Sequence, residues 1–222
     1  MKKKLTISGA CFALFAILIL LVRTLDVAAI GPAGTGIGLS RLNAAVHRLT
    51  GVHPSLYELT EALGLLAILI AACFGLLGLV QLLRGKSLRK VDPRILALGA
   101  LYGLVIACYL FFEFVIVNYR PVLMPGAELP EASFPSSHTM LSCVVLGSAA
   151  LLTGRYIQSP ALRRTLRALC WLLMALTVVG RLLSGVHWLT DILGGLLLSG
   201  ALVALYAAVV EALDAKEANM KK

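Results

Sequence analysis

The sequence predicts an all-α, polytopic membrane protein with six transmembrane helices and a short interfacial helix in the first outer loop. Of the 222 residues, 59% are hydrophobic and only 14% are charged. Nearly uncharged apolar runs of about twenty residues, the length that crosses a bilayer, recur along the chain. A soluble domain of this size could not bury so many runs in one core. The length predicts a single domain, 1–222, with its core at about 59–213.

The first predicted span follows three consecutive lysines, Lys2–Lys4, a beginning that secretory signal peptides share. Its apolar run of about eighteen residues is long for a cleaved signal and favours a retained span. The apolar runs place the six spans at about Leu5–Val22, Leu59–Leu83, Ile95–Val117, Ser136–Leu152, Leu166–Leu183 and Leu189–Val210.

The basic residues predict the orientation of these spans. The N-terminus, the Arg84–Arg94 loop, the Arg155–Arg167 loop and the C-terminal tail hold 3, 5, 4 and 3 lysines and arginines, which is 15 of the 20. Because cytoplasmic loops collect positive charge, we expect both termini in the cytoplasm and a cytoplasmic (inner) membrane location. The formal charge of +9 is therefore topological, and nucleic acid is not an expected partner.

The first outer loop, at about Thr24–Glu58, is predicted to contain the interfacial helix. Its GPAGTGIG segment lacks the preceding strand and following Lys-Ser/Thr of a phosphate-binding loop, so it is interpreted as a flexible turn. Ser40–Thr50 has an apolar face typical of a helix on the membrane surface. His47 and His53 are interpreted as solvated interface residues and not as ligands.

Two pairs of small residues indicate close helix packing, either within the monomer or across a homodimer. They are Gly99 with Gly103 in the third span, and Gly195 with Ser199 in the sixth. The five cysteines lie inside apolar runs without the spacing of a metal site, so neither a metal nor a cofactor is expected.

Polar residues that a membrane protein rarely keeps occur in three segments on the predicted outer side. They are Asn118–Pro121 after the third span, Phe134–His138 at the start of the fourth, and Arg181–Asp191 between the fifth and sixth. Each has a plain structural explanation: a snorkelling arginine, a helix cap, a satisfied buried contact. Together they bring two arginines, two histidines, a carboxylate and a helix N-terminus to one face of the membrane.

This combination of side chains suits phosphoryl transfer. Two guanidinium groups and free helix amides match the oxygens of a phosphate group. Asp191, four residues after His187, can reach a ring nitrogen and make that imidazole more nucleophilic. His138 can then protonate a leaving oxygen. The residues therefore predict transfer through a phosphohistidine, with the site facing outward.

The three segments resemble the three-part signature of the type-2 phosphatidic acid phosphatase family, whose core is shared with vanadium-dependent haloperoxidases. The matching residues are Arg120-Pro121, the PSSH run Pro135–His138, and Arg181-x5-His187-x3-Asp191. The six-span layout matches as well, so the resemblance covers most of the chain from about residue 60.

The resemblance implies a role for each matching residue. His187 would be the nucleophile, oriented and charge-stabilised by Asp191, and His138 would be the general acid. Contacts to the phosphate oxygens would come from Arg120, Arg181, Ser136 and the amide of Ser137.

Glu113 is the main departure from the family pattern. It stands where the family usually has a lysine, seven positions before the arginine. Seven residues are two helical turns, so Glu113 is predicted on the face of a helix that carries Arg120 at its end, with Pro121 ending the helix. A carboxylate there would weaken the positive field, through an ion pair with Arg120 or another cation. Smaller departures are Ser137, usually glycine, and Gly180, usually serine.

The sequence thus predicts a metal-independent membrane phosphatase that acts on a lipid phosphate or pyrophosphate at the outer face. Undecaprenyl pyrophosphate and other isoprenoid pyrophosphates, phosphatidylglycerophosphate and phosphatidic acid are all candidate substrates. Two alternatives stay open: a lipid phosphotransferase of the same core, and a non-catalytic lipid-phosphate binder or transporter. The second lacks the broken-helix pairs and inverted repeat typical of transporters.

Overall fold

A computed structural model describes residues 1–124 and 126–220. Within these ranges the chain forms seven α-helices, and six of them are long and apolar enough to cross a membrane. This confirms the predicted fold class. The helices are α1 (Lys2–Thr24), α2 (Ser40–Thr50), α3 (Pro54–Gly85), α4 (Pro93–Phe114), α5 (Ser137–Tyr156), α6 (Pro160–Leu183) and α7 (Leu189–Met220). A two-residue antiparallel pair, β1 (Ala28–Ala29) with β2 (Gly36–Ile37), lies between α1 and α2.

Local chemistry explains where several helices begin. Pro54, Pro93 and Pro160 open α3, α4 and α6, because the first turn of a helix needs no backbone donor. The side chains of Asp92 and Ser159 cap the last two of these helices by accepting hydrogen bonds from backbone amides of the first turn.

Helix α5 occupies the centre of the bundle and packs against α3, α4, α6 and α7. Buried residues run along most of its length, whereas α1, α3 and α6 leave many large apolar side chains on the outside of the bundle. The contact with α7 is close: a Cβ at Gly195 would lie 2.9 Å from Cβ of Thr139. The predicted close packing at Gly195 is therefore present within the monomer. At Gly99 and Gly103, no described atom would come within 4 Å of an added Cβ, so neither glycine is in a close helix contact within the monomer.

Ion pairs place the basic segments together at one end of the bundle. Lys4 lies 2.8 Å from Glu211, and the buried Arg94 pairs with Asp214 and, at 2.8 Å, with Glu217. Arg155 also reaches Glu217, at 3.3 Å. The N-terminus, the α3–α4 loop, the end of α5 and the end of α7 thus share one end, as the charge count predicted. That this end is cytoplasmic stays a prediction.

The structure corrects the end of the third predicted span, which corresponds to α4. Helix α4 ends at Phe114, well before Pro121, so the prediction that Glu113 and Arg120 share a helical face is wrong. The reason lies in the backbone of the following loop. Arg120 donates its amide to the carbonyl of Glu131 at 3.0 Å, and Tyr119 forms an isolated β-bridge with Ala132. A hairpin-like loop therefore replaces the helix. Helix α7, in contrast, continues through the polar tail to Met220.

Candidate active site

His187, Ser133 and Asp191 form a buried triad at the end of the bundle opposite the basic segments. The hydroxyl of Ser133 donates a hydrogen bond to Oδ2 of Asp191 and lies 3.0 Å from Nδ1 of His187. A hydroxyl has one proton, so Ser133 must accept from Nδ1–H of the histidine. Nδ1 of His187 is 3.7 Å from Oδ2 of Asp191, so the serine bridges the two residues. This arrangement assigns the proton to Nδ1 and leaves the lone pair on Nε2.

Asp191 also holds the backbone around the histidine. His187 precedes α7, and the carboxylate of Asp191, in the first turn of that helix, accepts the amide of Trp188 at 2.8 Å. The carbonyl of Asp191 accepts the amide of Ser136 at 3.0 Å. The start of α7 is thereby joined to the start of α5, which brings the second and third signature segments together.

Burial controls the protonation of His187. The side chain is almost fully enclosed, and this desolvation lowers the pKa of His187 below its ordinary value, with the positive charge of Arg120 acting in the same direction. Asp191 opposes the shift without reversing it. The imidazole is therefore neutral at neutral pH, as a nitrogen nucleophile requires.

The hairpin-like loop delivers Arg120 to this site. Besides the backbone pairing with Glu131, the amide of Ser133 donates to the carbonyl of Asn118 at 2.9 Å. Nε of Arg120 lies 3.1 Å from Oε2 of Glu131, although without the geometry of a hydrogen bond. Arg120 thus forms its ion pair with Glu131 and not with Glu113.

A second group of charged residues joins α3, α5 and α6. Arg181, fully buried near the end of α6, binds the carboxylate of Glu61 through Nη2. The other carboxylate oxygen of Glu61 lies 3.3 Å from Nε2 of His138. Ser137, which precedes His138 in the chain, lines the same small cavity as Arg120 and His187, so this group lies next to the triad.

Buried polar atoms in this region share an unusual property: no described residue satisfies them. They are Nη1 of Arg120, Nε and Nη1 of Arg181, Oγ of Ser136, Nδ1 of His138 and Nε2 of His187. Buried groups of this kind normally have a partner, because an unpaired one costs about 1–3 kcal/mol. Donors from two guanidinium groups and a hydroxyl, beside a free imidazole nitrogen, fit a tetrahedral oxyanion such as phosphate. Thus the structure brings together all the predicted residues of this set.

Two neighbouring cavities, which share lining residues, adjoin the site. The smaller, with an empty volume of about 340 Å³, is lined by Arg120, Ser137 and His187, and also by the exposed Glu113. The larger, of about 1340 Å³, runs between α3, α4 and α5 and has Glu61 and His138 at its polar end. Tyr109, Ser137 and Met140 line both. An apolar groove thus leads from the outside of the bundle to the polar site.

The comparisons with known proteins agree with this geometry. The family model described as the PAP2 superfamily matches residues 98–214, more than half of the chain. The chain belongs to the PAP2 superfamily. The matched region includes Arg120, the PSSH run and the Arg181–Asp191 segment, which confirms the resemblance seen in the sequence.

A solved transmembrane phosphatase has the same fold as this chain. The crystal structure described as the first transmembrane PAP2 type phosphatidylglycerolphosphate phosphatase from Bacillus subtilis aligns with a TM-score of 0.68 and 20% identity. The alignment covers 93% of this chain and 96% of that one. Aquifex aeolicus LpxE aligns with a TM-score of 0.44 and 23% identity, over 75% of this chain and 94% of the other. No match to a curated protein was found.

In this PAP2 chain the segment between α1 and α3 also contributes to the site. Asn43 of α2, fully buried, donates to Oγ1 of Thr190 at 3.0 Å and accepts the amide of Thr190 at 3.2 Å. His47 lies 3.0 Å from the carbonyl of Gly185 and packs against the ring of Trp188. The interpretation of His47 as a solvated residue is therefore wrong: α2 closes over the segment that carries His187. His53, in contrast, is exposed.

Three residues of the site were not predicted from the sequence: Ser133, Glu61 and Asn43. Ser133 precedes the PSSH run in a loop, where nothing in the spacing distinguishes it from other serines. Asn43 has no distinguishing pattern either. Glu61 did carry a signal, because an acidic residue inside a predicted apolar span is expensive and usually has a buried partner.

Proposed function

We propose that this PAP2 protein is a membrane phosphatase that hydrolyses a phosphate carried by a lipid, through a phosphohistidine on His187. The supporting observation is the free Nε2 of His187 beside guanidinium nitrogens for which the described residues provide no partner. A phosphate bound there would satisfy these donors and lie next to the nucleophile.

In the first step, Nε2 of His187 attacks the phosphorus of a phosphate monoester, or the terminal phosphorus of a pyrophosphate. The bond from that phosphorus to the ester oxygen, or to the bridging oxygen, breaks, and the lipid alcohol or lipid monophosphate leaves. The proton stays on Nδ1 of His187, hydrogen-bonded to the hydroxyl of Ser133. The phosphorylated ring is therefore cationic, and Asp191 balances its charge. His138 donates a proton to the leaving oxygen from Nδ1, the ring nitrogen not directed at Glu61.

In the second step, water attacks the phosphohistidine and gives a proton to His138, which restores the general acid. The phosphorus–nitrogen bond breaks, His187 recovers its lone pair and inorganic phosphate leaves. Arg120, Arg181, Ser136 and the Ser137 amide stabilise the charge on the phosphate oxygens in both steps. These steps require the chain's own side chains and water.

The apolar groove supports a lipid substrate. Its lining residues on α3 run from Glu61 to Ala71, about 15 Å along the helix axis. Most are aliphatic, and Leu65 and Ile106 stand among them on the outside of the bundle. A hydrocarbon chain can lie in this groove while its phosphate reaches Arg120 and Arg181. Phosphatidic acid, phosphatidylglycerophosphate and isoprenoid pyrophosphates such as undecaprenyl pyrophosphate all fit this description, with the site on the outer face of the cytoplasmic membrane.

The proposal is tested by phosphate release from these lipids, assayed side by side in detergent, with wild type beside His187→Ala. We expect release that His187→Ala abolishes, together with trapping of a phosphorylated wild-type protein on acid quenching. Equal release by both proteins would exclude the phosphohistidine. Phosphate appearing on an added lipid alcohol instead of in solution would identify a phosphotransferase, and lipid binding without turnover would identify a binder.

The groove has its own test. Leu65→Trp places an indole in the groove, so we expect a higher KM for a long-chain lipid phosphate and an unchanged KM for a short-chain, water-soluble one. Leu69→Trp is the matched control, because Leu69 is exposed on the same helix but does not line the groove. If both variants behave alike, the hydrocarbon chain does not occupy this groove.

A further inference from the structure

Glu61 occupies a position that the phosphatase mechanism above does not use. Its carboxylate spans two residues of the site, with one oxygen bound by Nη2 of Arg181 and the other 3.3 Å from Nε2 of His138. The Arg181 side chain is 1% exposed and the His138 side chain 23% exposed, whereas the Glu61 side chain is 43% exposed. The carboxylate therefore reaches the phosphate-binding residues from the side of the groove.

Helix α3 is shaped around this contact. Tyr57, one turn before Glu61, has its ring centroid 5.1 Å from Cζ of Arg181. Gly64 lies about one turn after Glu61, at a position with no room for a side chain, because a Cβ there would lie 2.5 Å from Cδ2 of His138. Residues 57, 61 and 64 share one helical face. That face holds both the arginine and the histidine.

A carboxylate on a phosphate-binding arginine must compete with the substrate for it. Glu61 engages Nη2 alone, while Nε and Nη1 of Arg181 have no partner in the described chain. A phosphate that binds those two nitrogens brings negative charge next to the carboxylate, and like charges at this separation repel. The partly exposed Glu61 side chain has room to move away, whereas the buried Arg181 side chain does not.

On the basis of the proposed phosphatase function, we propose that Glu61 is a positioning residue that holds Arg181 and His138 in the empty site. Incoming phosphate takes Arg181 from it, and the carboxylate then remains on Nε2 of His138 alone. There it orients the ring and balances the charge of the protonated general acid. The site thus has two histidine–carboxylate pairs, His187 with Asp191 for attack and His138 with Glu61 for proton transfer.

The first test needs no turnover. Melting temperatures of the detergent-solubilised protein are measured against increasing inorganic phosphate or vanadate for wild type, Glu61→Gln and Glu58→Gln. Glu61→Gln should reach half-maximal stabilisation at an anion concentration about three- to tenfold lower than wild type, because no carboxylate competes for Arg181. Glu58→Gln removes the same charge from an exposed position on the same helix and should match wild type.

The second test is the pH profile of phosphate release. A carboxylate beside an imidazole favours its protonated form, so Glu61→Gln should move the alkaline limb of kcat to lower pH by about one unit. Glu61→Asp keeps the charge and should retain the wild-type limb, as should Glu58→Gln. A purely structural role for Glu61 would change stability without moving this limb.

The outcomes separate this inference from the proposed function. Absence of phosphate release by wild type would reject the phosphatase, while the anion titration would still decide whether Glu61 competes for Arg181. Anion affinity and alkaline limb unchanged in Glu61→Gln would overturn the inference. Glu61→Ala serves as a second neutral variant, and loss of folding in both neutral variants would overturn it too, since Glu61 would then be a structural ion-pair partner.

Discussion

The hydroxyl of Ser133 lies 3.0 Å from Nδ1 of His187 and donates a hydrogen bond to the carboxylate of Asp191. The carboxylate therefore orients the histidine through a serine that comes from a different loop. Because this contact decides which ring nitrogen carries the proton, it determines whether Nε2 can act as a nucleophile.

Ser133→Ala removes the bridge without creating a steric clash. We expect kcat to fall by about 10- to 100-fold, the usual effect of losing the partner that orients a functional histidine, with little change in KM. Ser8→Ala is the control, since Ser8 is also buried and its hydroxyl donates a hydrogen bond to the carbonyl of Ala201 at 2.9 Å, away from the site. Equal kcat values for the two variants would show that Ser133 has no role in orienting His187.

The pH dependence of kcat/KM follows from the lowered pKa of His187. Since burial lowers that pKa, the neutral nucleophile persists below pH ~6.5, the ordinary midpoint for histidine, and activity is lost only as the pH falls further. Asp191→Asn removes the group that opposes the shift, so its acid limb should lie at still lower pH, with a reduced kcat. An acid limb above pH 7 would contradict this assignment.

Glu113→Lys restores a cation at the position where the family usually has one. Because Glu113 and Arg120 line the same cavity, this variant should raise kcat/KM for an anionic lipid by about two- to tenfold at low ionic strength, with a smaller gain in high salt. Glu128→Lys makes the same change of charge at an exposed loop position outside the cavity. Complete loss of activity in Glu113→Lys alone would show that the carboxylate has its own task.

Asn43→Ala tests whether α2 holds the segment that carries the nucleophile. The substitution leaves the amide of Thr190 without its partner and removes one of the two donors to the Thr190 hydroxyl, the other being Asn118, which should lower the free energy of unfolding by about 1–3 kcal/mol and reduce kcat. Thermal unfolding in detergent provides the measurement. Arg41→Ala, on the exposed face of α2, should change stability by less than about 1 kcal/mol. Similar stabilities of the two variants would show that α2 does not hold the segment that carries His187.

The span pattern and the signature residues were predictable because each depends on residues that are neighbours in the sequence. Apolar length determines the six spans, and the segments around Arg120, His138 and His187 each carry their chemistry within a few residues. What could not be predicted depends on contacts between distant segments. Ser133 reaches His187 only because α5 and α7 begin side by side, and Arg120 leaves the helix because its amide pairs with Glu131. The span ends were uncertain for the same reason, as α7 shows by continuing to Met220.

Helix α5 combines a central position with His138, the proposed general acid. Because its neighbours enclose it on most sides, few of its side chains meet hydrocarbon, whereas α3, one wall of the groove, is widely exposed to it. Bilayer thickness and fluidity therefore act more directly on the path by which a lipid arrives than on the backbone of the helix that carries His138. Changing the host lipid should alter KM for a long-chain substrate while leaving turnover of a soluble phosphate ester unaffected.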